Sequence, residues 1–186
     1  MNILGLGDGL DAGAALIMED HLVACSSQSR FDKVSRSRAF PWDAIDAVLT
    51  EGGLCPKDID VVAVAGRFTP PFFLRRHPRL RRIAQDAFSP ALDAHVFYQA
   101  LLRQTGMGAF EADRTSEWFE NRLAPRGFAP QRVNMVDIHT ALAEGAYRSQ
   151  PEHDVLVFVI HPMGDGVACS VHRGRYGQLD RIWEQR

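Results

Sequence analysis

The stretch that decides the fold class is residues 155–171, which read VLVFVIHPMGDGVACSV. It contains an apolar run, a Gly-Asp-Gly turn at residues 164–166 and a second run with small residues. A polar segment at residues 173–177 and a third apolar run at residues 179–183 follow. Because Asp-Gly between apolar runs is a strong hairpin signal, the pattern predicts three consecutive strands.

The same plan occurs at the N-terminus, within residues 2–25. There an apolar strand leads into a Gly-Asp-Gly turn at residues 7–9, followed by a small apolar run, a polar turn and a third apolar run. Two strand–glycine–strand units in one short chain indicate an internal duplication.

Both glycine turns are candidate phosphate sites, because glycine has no Cβ and lets backbone N–H groups approach an anion. The alternative is a purely structural turn, since Asp-Gly is also the commonest hairpin signal. An aspartate at such a turn orients water or a metal near a phosphate, or it caps the turn. The candidate phosphate-binding residues are Gly7, Asp8, Gly9, Asp11, Gly164, Asp165 and Gly166.

Length and composition limit the class of protein. A chain of 186 residues fits one domain or slightly more, and a formal net charge of −2 gives no general attraction to nucleic acid or anionic membranes. No apolar run approaches the ~20 residues of a membrane span. Three isolated cysteines and no signal-peptide pattern favour a reduced, cytoplasmic protein without nucleic-acid or membrane partners.

Helix and strand signals alternate through the rest of the chain. Trp42 to Thr50 has apolar residues at helical spacing, and Gly52-Gly53 is predicted to end this helix. Val61 to Ala65 is the continuous apolar run of a strand buried on both faces. A strand, a helix and a strand in that order imply a parallel crossover and hence an α/β fold. Asp137 is predicted to cap a helix from Ile138 to Arg148. The predicted core strands are Asn2–Leu6, Ala14–Met18, Leu22–Cys25, Val61–Ala65 and Val133–Val136.

Residues 68–130 differ from their surroundings. They are rich in Arg, Phe and Pro at first and mostly helical in pattern afterwards. This composition predicts a helical insertion on the α/β framework. The candidate helices within it are Arg79–Ala87, Leu92–Gln104 and Thr115–Leu123.

Three other features are candidates for chemistry. The arginines of residues 75–82 are a phosphate or nucleic-acid pattern, but without interleaved aromatics they favour a solvated helix face or a partner surface. His139 shares a predicted helix with Glu144, and a metal site needs more ligands, so a structural or capping histidine is the favoured interpretation. His161 precedes the second turn and is either a ligand contact or an ordinary strand-end residue.

Four stretches carry a resemblance to a known family. They are residues 3–24 (ILGLGDGLDAGAALIMEDHLVA), 29–66 (SRFDKVSRSRAFPWDAIDAVLTEGGLCPKDIDVVAVAG), 136–147 (VDIHTALAEGAY) and 155–182 (VLVFVIHPMGDGVACSVHRGRYGQLDRI). In this order they resemble the N-terminal, Kae1/TsaD-like part of the NodU/TobZ-type O-carbamoyltransferases. The insertion at residues 68–130 matches weakly.

The resemblance implies an actin/Hsp70-like (ASKHA) fold, in which two RNase H-like lobes face each other and phosphates bind the glycine turns. Residues 1–150 would then form the first lobe with its helical insertion. Residues 151–186 would form the three-strand start of a second lobe. This α/β arrangement is the expected fold.

The departures from the family pattern concern its chemistry. Of the family's His-His-x-x-His motif only the middle position survives, as His139, and the two ligand positions hold Ile138 and Leu142. Gln28-Ser29 replaces an acidic pair ahead of Arg30. The other departures are Leu10 before the matched Asp11 and His161-Pro162 in place of Asp-Gly before the second turn. The resemblance therefore implies no metal site in this chain alone, and leaves Arg30 and His139 as further candidate site residues.

The function implied is that of a degenerate, non-catalytic subunit that supports a catalytic carbamoyltransferase-like partner in O-carbamoylation of a small molecule. ATP and carbamoyl phosphate would bind only in that complex, and the chain alone would be inactive. Two alternatives stay open: half of a split carbamoyltransferase that contributes to a shared pocket, and a phosphate-ligand binding module. Because residues 155–160 are apolar on both strand faces, both faces should be covered, by this chain, a second copy or the partner.

Overall fold

The computed structural model describes residues 1–9, 11–77, 90–130, 132–150 and 154–185. Its strands, in chain order, are β1 (Asn2–Gly7), β2 (Gly13–Met18), β3 (His21–Ser27), β4 (Val61–Ala65), β5 (Arg132–Val136), β6 (Asp154–Gly164), β7 (Val167–Arg175) and β8 (Gln178–Gln185). Its α-helices are α1 (Ser29–Asp32), α2 (Trp42–Gly52), α3 (Phe72–Arg76), α4 (Pro90–Thr105), α5 (Gly108–Leu123) and α6 (Ile138–Arg148), and short 3₁₀ turns occur at Pro56–Asp58 and Ala124–Arg126.

The first sheet has the strand order β3-β2-β1-β4-β5. Strand β2 is antiparallel to both β1 and β3, whereas β1 and β4 are parallel with Ile3 opposite Val61. A parallel pair needs a crossover connection, and α2 lies in the chain between β3 and β4. The predicted parallel crossover is confirmed.

Alternate residues of β1 and β4 form the core of this sheet. Leu4, Val62 and Val64 are fully buried, and α2 packs its apolar stripe on the same core through residues such as Ile45. Helix α2 ends where the sequence predicts, because Gly53 adopts a left-handed φ of 64° that favours glycine. The other fully or nearly buried members of this core are Leu6, Ala14, Leu16, Ala44, Val48, Leu49, Ile59, Phe119, Leu123, Phe128 and Val133.

The chain forms two compact units, each made of two segments. Unit 1 comprises residues 1–66 and 112–135, and unit 2 comprises residues 67–111 and 136–186. The division predicted from the sequence, with a first lobe at residues 1–150 and the start of a second at residues 151–186, stays a prediction. The interleaving cannot be seen along the sequence, because it depends on which segments pack together.

Unit 2 contains the antiparallel sheet β6-β7-β8. Helix α6 covers one face of this sheet: a Cβ at Gly174 would overlap the Tyr147 ring, and the Tyr147 hydroxyl accepts a hydrogen bond from the Gly177 N–H at 2.9 Å. Gly174 is therefore the residue that lets the helix approach the strand.

The helix predictions agree with the structure to different degrees. Helix α6 has the predicted bounds, and the Asp137 carboxylate caps it by accepting the Thr140 N–H at 3.1 Å. Helix α4 contains the predicted Leu92–Gln104. Helix α5 begins at Gly108, seven residues before the predicted Thr115, and its first two turns contain only one large apolar residue, Phe110, which gives no helical periodicity. The predicted helix Arg79–Ala87 lies outside the described residues.

Candidate functional site

The first glycine turn follows β1 in unit 1. Strand β1 ends at Gly7, and Asp8 is fully buried. Within the described residues, no heavy atom lies within 4 Å of the position that a Cβ would take on Gly7 or Gly9. Asp11 is exposed and has a left-handed φ of 57°. The turn therefore leaves open space beside its glycines.

The segment after this turn is held by the loop that follows β3. The Ala12 N–H donates to the Ser37 carbonyl, and the Gln28 N–H donates to the Ala12 carbonyl, each at 2.8 Å. The buried Gln28 amide also donates to the Asp43 carboxylate at 2.6 Å and accepts the Ala44 N–H at 3.3 Å. A carboxylate in its place could not donate to Asp43. Glutamine at position 28 thus joins the start of α2 to this loop.

Arg30 lies on the short helix α1 and is exposed. Its carbonyl accepts a hydrogen bond from the Lys33 ammonium at 2.6 Å. Its role as a site residue stays a prediction.

Arg122 is a charged residue of unit 1 that the sequence did not single out. Its guanidinium carbon lies 4.6 Å from the centre of the Phe40 ring, 5.2 Å from that of Trp118 and 5.9 Å from that of Trp42. Burial lowers the pKa of Arg122, and the charge of Asp8 opposes that change. The three rings hold a cation near the first glycine turn by cation–π contacts. Only Trp118, one helical turn before Arg122, could have indicated this from the sequence.

The second glycine turn, in unit 2, is built differently. Asp165 is fully buried, and its carboxylate accepts three backbone N–H groups: that of Phe68 at 2.6 Å and those of Arg67 and Ile138 at 2.8 Å. The Asp165 N–H donates to the Thr69 hydroxyl at 2.8 Å. The side chain therefore ties the segment after β4 and the start of α6 to the turn, and both of its oxygens are in use.

The glycines of the second turn face their own chain. A Cβ on Gly164 would lie 2.5 Å from His139 Nε2 and 2.8 Å from Ile138 Cγ2, and one on Gly166 would lie 3.2 Å from the Gln99 carbonyl oxygen. Distances below 3.0 Å are not found for real Cβ atoms. Phosphate binding by this turn stays a prediction, but its glycines are explained by packing alone.

His139 is fully buried beneath this turn. Its Nε2 lies 2.9 Å from the Val167 carbonyl, its Nδ1 lies 2.8 Å from the Ser170 hydroxyl, and that hydroxyl lies 2.9 Å from His172 Nε2. A carbonyl oxygen can only accept a hydrogen bond, so Nε2 of His139 carries the proton. If both rings are neutral, the Ser170 hydroxyl then donates to Nδ1 of His139, and the Nε2–H of His172 donates to the Ser170 oxygen. Both nitrogens of His139 are thus satisfied, which fits a structural histidine.

The neighbouring histidines are disfavoured as cations. Burial lowers the pKa of His161, whose ring centre is 6.3 Å from that of His139. Burial and the charge of Arg181 lower the pKa of His172. The folded chain therefore favours the neutral forms of His161 and His172.

A second group of charges lies at the start of α6. Asp137 pairs with Arg181, which also donates to the Glu184 carboxylate at 3.0 Å, and with Arg103 at 3.4 Å. The pairs connect α4, α6 and β8. The sequence could not indicate them, because the partners are 34 and 44 residues apart.

The arginine run of residues 75–82 is only partly described. Arg75 is buried and donates to the Thr69 carbonyl at 3.3 Å, so it does not belong to a solvated helix face. Arg76 and His77 are exposed. Residues 78–82 lie outside the described residues.

The described part of the chain lacks a metal-binding cluster and a membrane-spanning helix. There, no group of three or more His, Cys, Asp or Glu side chains is placed to hold a metal ion. No helix in the same residues has the length and apolar character needed to cross a membrane.

Comparisons with known proteins support the fold. No protein-family model matches the chain. A solved structure described as an uncharacterized protein with similarity to peptidase YEAZ, from Pseudomonas aeruginosa, matches 98% of this chain and 63% of its own with a TM-score of 0.51 at 16% identity. The chain therefore has the mixed α/β, actin/Hsp70-like fold that the resemblance predicted.

Two curated relatives are described as uncharacterized proteins. A protein of Methanocaldococcus jannaschii is 31% identical over 83 residues, and one of Synechocystis is 23% identical over 180 residues. The chain spans only 15% and 27% of their respective lengths. The finer resemblance, to NodU/TobZ-type carbamoyltransferases, stays a prediction.

Proposed function

We propose that this chain is a non-catalytic subunit that supports a catalytic partner of the same fold, and that the partner transfers a carbamoyl group to a small molecule. The observation that carries the proposal is the internal use of the second turn. The Asp165 carboxylate accepts hydrogen bonds from three backbone N–H groups, and both nitrogens of His139 are hydrogen-bonded within unit 2. Neither side chain is left for a substrate.

The positions that the family uses for metal ligands agree with this proposal. Ile138 donates its N–H to Asp165 and places its side chain against Gly164, while Leu142 is partly exposed. Neither side chain has a donor atom for a metal. The subunit would therefore act through its surface or by stabilising the partner.

An assay of carbamoyl transfer tests the proposal. The chain is incubated with ATP and carbamoyl phosphate, first alone and then with a candidate partner, a carbamoyltransferase-like protein of the same fold. We expect no phosphate release or product from the chain alone, and a several-fold gain in the partner's rate on mixing. Product formation by the chain without a partner would refute the non-catalytic role.

A second candidate function, binding of a phosphate-bearing molecule, is favoured at the first turn only. Gly7 and Gly9 leave open space, and the Arg122 guanidinium, which has no hydrogen-bond acceptor among the described residues, lies where the charge of Asp8 reaches it. These residues fit a phosphate group, whether free or part of ATP or carbamoyl phosphate. The second turn does not fit a phosphate group, because atoms of the same chain occupy the space beside Gly164 and Gly166.

Titration with inorganic phosphate, followed by amide NMR shifts, tests this candidate. We expect weak binding with shifts at Gly7 and Gly9, and a several-fold weaker affinity in Arg122→Lys, which keeps the charge but loses the planar guanidinium. Arg126→Lys is the matched control, because Arg126 also stacks on Trp42, at 4.5 Å, but is paired with Asp46. Equal effects of the two variants would contradict a specific role of the Arg122 guanidinium in phosphate binding.

A further inference from the structure

Strand β6 carries apolar side chains on both faces, and the two faces have different surroundings. Val159 is buried on the face that α6 covers. On the opposite face, here named the outer face, Leu156, Phe158 and Ile160 are 56%, 65% and 81% exposed. Within the described residues of this chain, one face is therefore covered and the other is exposed.

The apolar character continues across the sheet. Phe158 is opposite Val171 on β7, and Val171 is opposite Trp183 on β8, which is 49% exposed. Ile160 is opposite Cys169. The outer face thus has an apolar strip across all three strands. An antiparallel sheet with one wet face normally alternates apolar and polar residues, so this pattern indicates a face that is covered in use.

The other end of the outer face carries acidic and basic side chains in equal number. The Asp154 carboxylate accepts hydrogen bonds from Arg175 at 3.0 Å and Arg173 at 3.4 Å, and Arg173 is opposite Asp180. Two acids and two bases stand together. A partner whose surface is all acidic or all basic would not be complementary to this mixed set of charges. A second copy would present the same acids and bases in reverse order.

We propose that the outer face is the contact between two copies of this chain. A two-fold axis would place apolar strip on apolar strip, with sheets about 10 Å apart, and would bring the acids of one copy near the bases of the other. The proposal goes beyond the supporting role proposed above and does not depend on it.

Light scattering on the purified chain at micromolar concentration tests the contact. We expect twice the chain mass for the natural sequence and the mass of one chain for Phe158→Asp. Leu22→Asp is the matched control, because Leu22 is 63% exposed on β3 of unit 1, and it should keep the doubled mass. A natural chain that stays monomeric overturns the proposal. So does one that is monomeric by itself and associates only with an added catalytic partner.

Cysteine reactivity gives a second readout on the unaltered chain, which decides the matter if Phe158→Asp does not fold. Cys169 lies on the outer face, whereas Cys25 and Cys55 are exposed in unit 1. Alkylation of Cys169, followed by mass spectrometry, should become several-fold faster on dilution as the dimer dissociates, with Cys25 and Cys55 unchanged. A Cys169 rate that does not depend on protein concentration contradicts the dimer.

Discussion

The two Gly-Asp-Gly turns share a sequence pattern but have different surroundings. At the first turn, the space beside Gly7 and Gly9 is open within the described residues. At the second, Gly164 faces His139 and Ile138 at distances that exclude a Cβ. Glycine is thus needed for close packing at the second turn, whereas at the first turn no described atom lies where a Cβ would be. The same motif therefore has different packing in the two places.

Asp8 and Asp165, the central residues of the two turns, are both fully buried, and the aspartate that differs is Asp11, two residues after the first turn. Asp165 is buried and accepts N–H groups from residues as far as 98 positions away. Asp11 is exposed. Both have a left-handed backbone, with φ of 54° and 57°, which asparagine also tolerates. An Asp-to-Asn change therefore isolates the role of the carboxylate from that of the backbone.

The largest effect is expected for Asp165→Asn. The amide NH₂ group would face at least one backbone N–H, and two buried donors would then oppose each other. We expect a loss of about 3 kcal/mol in the free energy of unfolding, measured by urea denaturation. Asp11→Asn should change it by less than ~0.5 kcal/mol. Equal losses would show that the buried Asp165 carboxylate contributes no more to stability than the exposed Asp11 carboxylate.

A smaller effect is expected for Gly164→Ala. The added methyl would lie 2.5 Å from His139 Nε2, so the histidine or the helix must move. Overpacking of this type costs about 2 kcal/mol. Gly7→Ala is the control, since it adds the same methyl in open space, and thermal unfolding compares the two. A Gly164→Ala protein as stable as Gly7→Ala would mean that the turn does not pack on α6 as described.

The smallest effect is expected from pH. Because the pKa of His172 and that of His161 are lowered in the folded chain, the unfolded chain binds protons first as the pH falls below about 6.5. Stability is thus fully present above that pH and decreases below it, by at most about 1.4 kcal/mol per pH unit for each histidine. Urea denaturation between about pH 7 and pH 5.5 measures the slope.

Histidine variants locate the source of that slope. His172→Gln keeps a donor for Ser170 but does not titrate, so it should flatten the pH dependence. His21→Gln, at an exposed position of β3, is the matched control. A slope that persists in His172→Gln and disappears in His21→Gln would move the pH sensitivity away from the second turn.

The local elements were largely predictable. Apolar runs located β1, β4 and β5, the Asp137 cap and the Gly53 terminus placed the ends of two helices, and the strand–helix–strand order predicted the parallel pair. These features depend on residues within a few positions of one another. The start of α5 was missed, because its first two turns contain one large apolar residue, Phe110, and a single residue gives no hydrophobic period.

The candidate site was predictable only as a set of positions. The sequence identified both glycine turns, but not which one is open, because Gly164 is filled by residues 25 or more positions away. It also did not reveal Arg122, since the Phe40 and Trp42 rings that hold it lie about 80 residues earlier in the chain. Spacing within a motif carries no information on such distant neighbours.

The sequence by itself determined the α/β class, the repeated strand–turn–strand plan and the apolar character of both faces of β6, since these follow from residue type and short-range periodicity. Only the tertiary structure decided that Asp165 and His139 serve packing, that the Gly7–Gly9 turn is open, and that Phe158 lies on an exposed face. The physical reason is that burial and hydrogen bonding are set by what packs against a residue, and most of those contacts come from distant parts of the chain.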